Sequence, residues 1–156
     1  MKIELLAVGT RAPEWIRKGF DEYRGRLVAP WMLTLREIAA TPRGKSGSPE
    51  VFRRQEGEAL LAAIKPDMRV VALDLTGRSL STDQLASRLD DIRQVSSGLQ
   101  LMIGGADGLD PACLTRADER WCLSSMTFPH FLVRVIIAEQ LYRAWTILTH
   151  HPYHRA

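Results

Sequence analysis

Leu99-Gln100-Leu101-Met102-Ile103-Gly104-Gly105-Ala106-Asp107-Gly108 decides the fold. Its first five residues are almost wholly apolar without alternation, the pattern of a strand buried on both faces, and parallel sheets covered by helices supply that environment. The run ends on paired glycines, where the backbone can turn sharply or approach a ligand closely. Working outward, Lys2–Val8, Met32–Ile38, Arg69–Asp74 and Arg120–Leu123 also read as strands. Between them lie helical periods over Pro13–Leu27, Val51–Ile64 and a run toward Ile92 that Thr82 or Asp83 caps, and a last helix runs from Pro129 to about Leu148. Strands alternating with helices predict an α/β fold, a mostly parallel sheet with helices on both faces. Ligands in such sheets bind beyond the carboxyl ends of the strands, which selects Leu73-Asp74, Gly104-Gly105 and Leu123-Ser124.

With 156 residues and no linker-like stretch except Thr41–Pro49, the chain reads as a single domain, 1–156. The amino terminus carries a charge inside its short apolar run and lacks the features of an export signal. The longest apolar stretch, Phe131–Leu148, is broken by Arg134, Glu139, Gln140 and Arg143, against a membrane span. A cytoplasmic protein without a membrane partner is expected. Cys113 and Cys122 fit neither a disulfide framework nor a zinc spacing, so no metal is expected. The net charge of +3 is compatible with a polyanionic partner.

Several segments can carry chemistry. The glycine run after Ile103 is either a tight turn or a ligand loop, and its adjacent glycines do not fit the dinucleotide fingerprint Gly-x-Gly-x-x-Gly. Arg43-Gly44-Lys45-Ser46 lacks the leading glycine of a phosphate loop, because Ala39 stands there, which counts against a nucleotide hydrolase built on Lys45. A solvated basic loop remains, with cations available to RNA phosphates. Leu123, Ser124, Ser125, Met126, Thr127 and Phe128 either lead into the last helix as a cap or wrap a purine edge with main-chain groups between apolar walls. The last helix is apolar on nearly every side, which points to burial against a second subunit. Its Glu139, Gln140, Tyr142 and Arg143 then require hydrogen-bond partners. The tail His150-His151-Pro152-Tyr153-His154-Arg155 has three readings: a metal site, a disordered end, or a base-stacking and phosphate-holding segment. As a chain end, it is expected to be mobile until RNA or donor arrives.

Taken together, Leu6-Ala7-Val8-Gly9-Thr10, Leu73-Asp74, Ile103-Gly104-Gly105 with Gly108, and Pro129-His130 with Leu132 and Arg134 resemble the bacterial large-subunit rRNA pseudouridine N3-methyltransferases of the SPOUT superfamily. The resemblance continues through Glu139-Gln140-Leu141-Tyr142-Arg143-Ala144 and Pro152-Tyr153-His154-Arg155, so it spans the chain. It implies a carboxy-terminal trefoil knot, an exception to the rule of unknotted chains. It also implies S-adenosylmethionine as methyl donor, held by Leu73, Gly104, Gly105 and the Leu123–Phe128 segment. A homodimer acting on a pseudouridine at the subunit-interface stem-loop of the assembled ribosome follows from the same likeness. Two positions depart from the family pattern: Ala106 replaces a common proline, and His150 stands where relatives carry Asn or Gly.

Methyl transfer from a sulfonium depends mainly on positioning, but N3 of the base must also lose its proton. His154 is the candidate proton acceptor and Arg155 the candidate stabiliser of the developing negative oxygen. Arg134 and Arg143 are the alternatives. The competing function is a non-catalytic ribosome-binding assembly factor, which donor binding would separate from an enzyme.

Overall fold

The computed structural model describes residues 1–155, with side chains through Tyr153. In chain order the elements are β1 (Lys2–Val8), α1 (Glu14–Arg26), β2 (Met32–Ile38), α2 (Pro49–Ala62), β3 (Arg69–Ser79) and α3 (Thr82–Val95). They continue with β4 (Gly98–Ile103), α4 (Pro111–Arg116), β5 (Glu119–Cys122), α5 (His130–Leu148) and a terminal 3-10 turn, Pro152–Arg155. The five strands form one sheet in the order β2-β1-β4-β3-β5, every pair parallel.

Strand alternation divides the interior into two cores. Ile3, Leu5, Leu99, Leu101 and Val71 point to one face, where they meet Phe20 of α1, Leu89 of α3 and Ile137 and Leu141 of α5. Leu6, Val8, Val70, Ala72 and Met102 point to the other, against Leu60 of α2 and Cys113 of α4. β4, the quoted strand, lies near the centre and is buried along its whole length. Its one polar residue, Gln100, is satisfied from three sides: its amide nitrogen donates to Glu4 Oε2 (2.7 Å) and Ala63 O (3.2 Å), and its oxygen accepts from Lys65 N (2.8 Å). A buried amide with all these partners avoids the desolvation cost of an orphaned one.

Four local features differ from the sequence expectation. α2 begins at Pro49, because Ser48 caps it by accepting from Val51 N (3.4 Å) and proline suits a first helical position. α3 is capped by Ser81, not by Thr82 or Asp83: Ser81 Oγ accepts from Gln84 N (3.2 Å) and Gln84 Oε1 accepts from Ser81 N (2.9 Å), a reciprocal capping box. β3 does not end at Thr76-Gly77. It bulges between Leu73 and Arg78 and resumes pairing with β5. The short α4 is an addition to the expected elements, although Asp110-Pro111 is a cap followed by proline, with Asp110 accepting from Ala112 N at 2.9 Å.

The all-round apolar character of α5 has a partly intramolecular explanation, since α1 and α3 flank it and the sheet lies beneath. Its polar residues also find partners within the chain. Gln140 accepts from Thr82 Oγ1 (2.9 Å), and Arg143 Nε donates to Glu139 Oε1 (2.8 Å). Leu132, Ile136, Glu139, Gln140 and Arg143 remain only half-buried. The expected mobility of the tail is corrected up to Tyr153. Its ring lies 4.7 Å from that of Tyr142, and its hydroxyl donates to Glu139 Oε1 (3.1 Å). Ring packing plus a charged acceptor offsets the entropy of a chain end. Burial, then Tyr23 and Glu139, push the Tyr153 phenol up to about 12, so it stays a donor at physiological pH.

Candidate donor cavity at the strand ends

The ends of β4 and β5 and the bulge of β3 converge on one cavity of about 500 Å³. β3 contributes Leu73 and Asp74, β4 contributes Gly104 and Gly105, and the segment after β5 contributes Leu123, Ser124, Met126, Thr127 and Phe128. Eight of the nine residues expected to bind the donor therefore line one space: Leu73, Gly104, Gly105, Leu123, Ser124, Met126, Thr127 and Phe128. Ser125 is the exception; it is not among the lining residues. The size falls within the usual range for small-molecule sites, roughly 300–1,000 Å³.

The glycine loop is shaped by close approach of its own backbone. A Cβ on Gly104 would lie 2.6 Å from Gly108 O and 2.7 Å from Leu109 N, so the chain can fold back on itself only with glycine there. Gly108 N donates to Gly105 O (3.1 Å), which closes the turn. Across the cavity, Ser124 Oγ accepts from Met126 N (3.0 Å) and bends the segment that carries Met126 and Phe128. Met126 is largely exposed at the mouth, as is Leu75 from the β3 bulge. The arrangement offers apolar walls and a glycine-lined floor, which suits a ligand with a flat aromatic part and a polar backbone-reading edge.

His130, the first residue of α5, also lines the cavity and was not singled out from sequence as a site residue. Burial, then the Arg134 and Arg43 cations, hold its imidazole below the usual value. Gly9 makes room for the next residue, Phe131. At φ +106° a Cβ there would lie 2.8 Å from the Phe131 ring and 3.5 Å from His130 Nε2, so β1 can end directly against the start of α5. The position of His130 at a helix start beneath a strand-end turn was a readable signal, since Pro129 marks the helix start and β1 ends on Gly9-Thr10.

Arg134 takes a different place from the one considered in sequence. It is almost wholly buried, pairs with Glu37 Oε1 (2.8 Å), and donates to the carbonyls of Val8 (3.1 Å) and Gly9 (2.7 Å). Its guanidinium is committed to pinning the end of β1, and the cavity lining does not include it. Arg143 pairs with Glu139 beside Tyr153. The side chains of His154 and Arg155 lie outside the described residues. Burial and Asp110 push the Cys113 thiol up to about 11, leaving it an inert core group. Among the described residues no cluster of His, Cys, Asp and Glu is arranged to hold a metal ion, and no helix is long and apolar enough to cross a membrane.

A family model described as "Predicted SPOUT methyltransferase" matches residues 1–154. Relatives named ribosomal RNA large subunit methyltransferase H include proteins of Marinomonas sp. at 46% identity and Chromohalobacter salexigens at 48%. A third, from Pseudomonas aeruginosa, is 48% identical. Each alignment covers 99% of this chain and 100% of the relative. With a family model spanning nearly the whole sequence and full-length relatives at this identity, the chain belongs to the SPOUT methyltransferase family.

Proposed function

We propose that this protein is a cytoplasmic methyltransferase that uses S-adenosylmethionine to methylate N3 of a pseudouridine in large-subunit ribosomal RNA, on assembled ribosomes. The single observation that carries the reading is the cavity in which Leu73 at the β3 bulge, Gly104 at the end of β4 and residues of the segment after β5 meet. Full-length relatives with the name quoted above support the choice of RNA.

The residues present fit the donor. Leu123, Met126 and Phe128 provide apolar walls for a purine, and Gly104 and Gly105 let main-chain groups reach it. Bound there, the donor supplies a methyl carbon made electrophilic by its sulfonium. The chain's own work is to orient and exclude water, which can replace acid-base machinery for most of the barrier. His130 is kept neutral at the cavity wall and so adds no repulsion toward a cationic ligand. The tail supplies His154 to accept the N3 proton and Arg155 to stabilise the adjoining oxygen. Tyr153 anchors that tail through Tyr142 and Glu139.

The functional unit is a homodimer, formed through the half-buried strip Leu132, Ile136, Glu139, Gln140 and Arg143 of α5. The knot expected for the family belongs to the same proposal. The test is methyl-labelled S-adenosylmethionine with purified protein and ribosomes from cells lacking it. Label should enter one pseudouridine of the large-subunit RNA, and no incorporation by a folded, donor-binding protein would refute the reading.

A further inference from the structure

Five cations gather where the edge strand β2 ends and α2 begins: Arg36, Arg43, Lys45, Arg53 and Arg54. Strand alternation fixes the side on which Arg36 lies. Arg36 pairs in register with Leu6, and Ile38 two residues on packs in the core shared with α2 and α4, so Arg36 faces the α2 side of the sheet. The loop that carries Arg43 and Lys45 is pressed onto the same helix. Gly47 sits against the Phe52 ring without room for a Cβ, Arg43 lies 5.2 Å from the centroid of that ring, and Thr41 N donates to Glu56 Oε1 (3.1 Å). Arg53 and Arg54 follow Phe52 on α2.

The nearby acidic groups offset these charges only in part. Asp107 pairs with Arg43 (2.6 Å), Glu37 with Arg134, and Glu56 is buried beneath the loop. Glu50, in the first turn of α2 at the favourable end of the helix dipole, and Glu58, one turn beyond Arg54, are exposed counter-charges. Among the described residues no acidic side chain pairs with Arg36, Lys45 or Arg54, and Arg53 Nε is buried without a hydrogen-bond partner. A guanidinium donor left unpartnered on the same side of the sheet as three exposed cations without acidic partners suits a surface that completes its bonds with an anion.

Two further observations say which anion. The surface is joined to the donor cavity, because Asp107, which holds Arg43, lies between the cavity-lining Ala106 and Gly108. It also lies across the sheet from α5, so the dimer strip proposed above leaves it open. We propose that Arg36, Lys45, Arg53 and Arg54, with Arg43 as the link to the glycine loop, hold the phosphate backbone of the RNA whose base is methylated. This rests on the rRNA reading and adds to it the face of the protein that meets the nucleic acid. Contacts of this kind fix register and orientation and carry no sequence information themselves.

The test uses the full chain and 70S ribosomes at fixed magnesium, with binding followed by co-sedimentation between 50 and 200 mM KCl. A variant with Arg36→Ala, Lys45→Ala and Arg54→Ala removes only exposed cations without acidic partners. Its slope of log affinity against log salt should fall by about 2–3, at roughly 0.7–0.9 for each phosphate no longer neutralised. The wild type should then lose about thirtyfold more affinity across that salt range than the variant. Donor affinity and melting temperature should not move, and Arg36→Lys with Arg54→Lys should keep the wild-type slope. An unchanged slope in a folded Ala variant whose ribosome binding persists would overturn this surface and leave the rRNA reading standing. Failure of the wild type to bind ribosomes at all would overturn both.

Discussion

Gly104→Ala is the sharpest single-atom test of the glycine loop. A ligand loop would put a side chain at this position against the ligand, whereas the structure puts it against the loop's own backbone. The added Cβ would meet the returning backbone at Gly108 O (2.6 Å) and Leu109 N (2.7 Å). Backbone cannot rotate away as a flexible side chain can, so the loop must open. Overpacking of this kind costs about 1–3 kcal/mol. If donor binding requires the closed loop, the same energy appears as a loss of affinity of roughly 5- to 150-fold at 1.4 kcal/mol per decade. The melting temperature of a chain this size should fall by roughly 2–12 °C. Titration calorimetry with S-adenosylmethionine reads the first quantity, and calorimetric melting reads the second. Wild-type affinity in a variant whose melting temperature has dropped would show that the loop is strained but does not hold the donor, and the site assignment would fail.

Other expectations follow from the same contacts. His130 is held neutral in the fold where the unfolded chain takes up a proton, so stability should decline as pH falls below the ordinary imidazole value of 6.5. Donor affinity should fall at lower pH still, as pH passes through the depressed folded-state value, since a protonated His130 would repel a cationic ligand. His130→Gln should flatten both profiles, and identical pH dependence in variant and wild type would remove His130 from the site. Deleting residues 154–156 should leave melting and donor affinity intact while abolishing methyl transfer to ribosomes. A deletion that also removes Tyr153 should in addition destabilise α5, because the Tyr142 ring and Glu139 lose their partner. Full activity of the shorter truncation would transfer the chemistry away from His154 and Arg155. Ile136→Glu places a charge in the half-buried strip of α5. An unpaired charge buried at an interface costs on the order of 3–5 kcal/mol, so sedimentation should show a monomer or an unfolded chain. A dimer of unchanged stability would move the interface elsewhere.

The inner strands were legible because they are buried on both faces and therefore nearly all apolar, as in β4, where burial is complete, whereas the edge strand β2 was legible by alternation. The three segments expected to face a ligand do meet at a single cavity without any motif that fits a standard fingerprint, although Leu73-Asp74 lies at a bulge and not at the end of β3. What sequence missed depends on contacts distant in the chain. Arg134 reads as a free cation in a helix, but Glu37 and two carbonyls at the end of β1, some 125 residues away, claim it. Tyr153 reads as part of a loose end, until Tyr142 and Glu139 on α5 are seen to hold it. The bulge that carries β3 past Gly77 likewise depends on β5 as a pairing partner, which local propensity does not encode. Ser81 caps the helix rather than Thr82 because Gln84 lies three residues beyond it and closes a capping box, a spacing visible in the sequence.

The central claim, methylation of large-subunit ribosomal RNA, is tested most directly by mass spectrometry of that RNA from cells with and without this protein. Loss of one methyl group from one pseudouridine, restored by the wild-type chain and not by the chain lacking residues 154–156, is the predicted result. An identical set of modified nucleosides in the two RNAs would contradict the account.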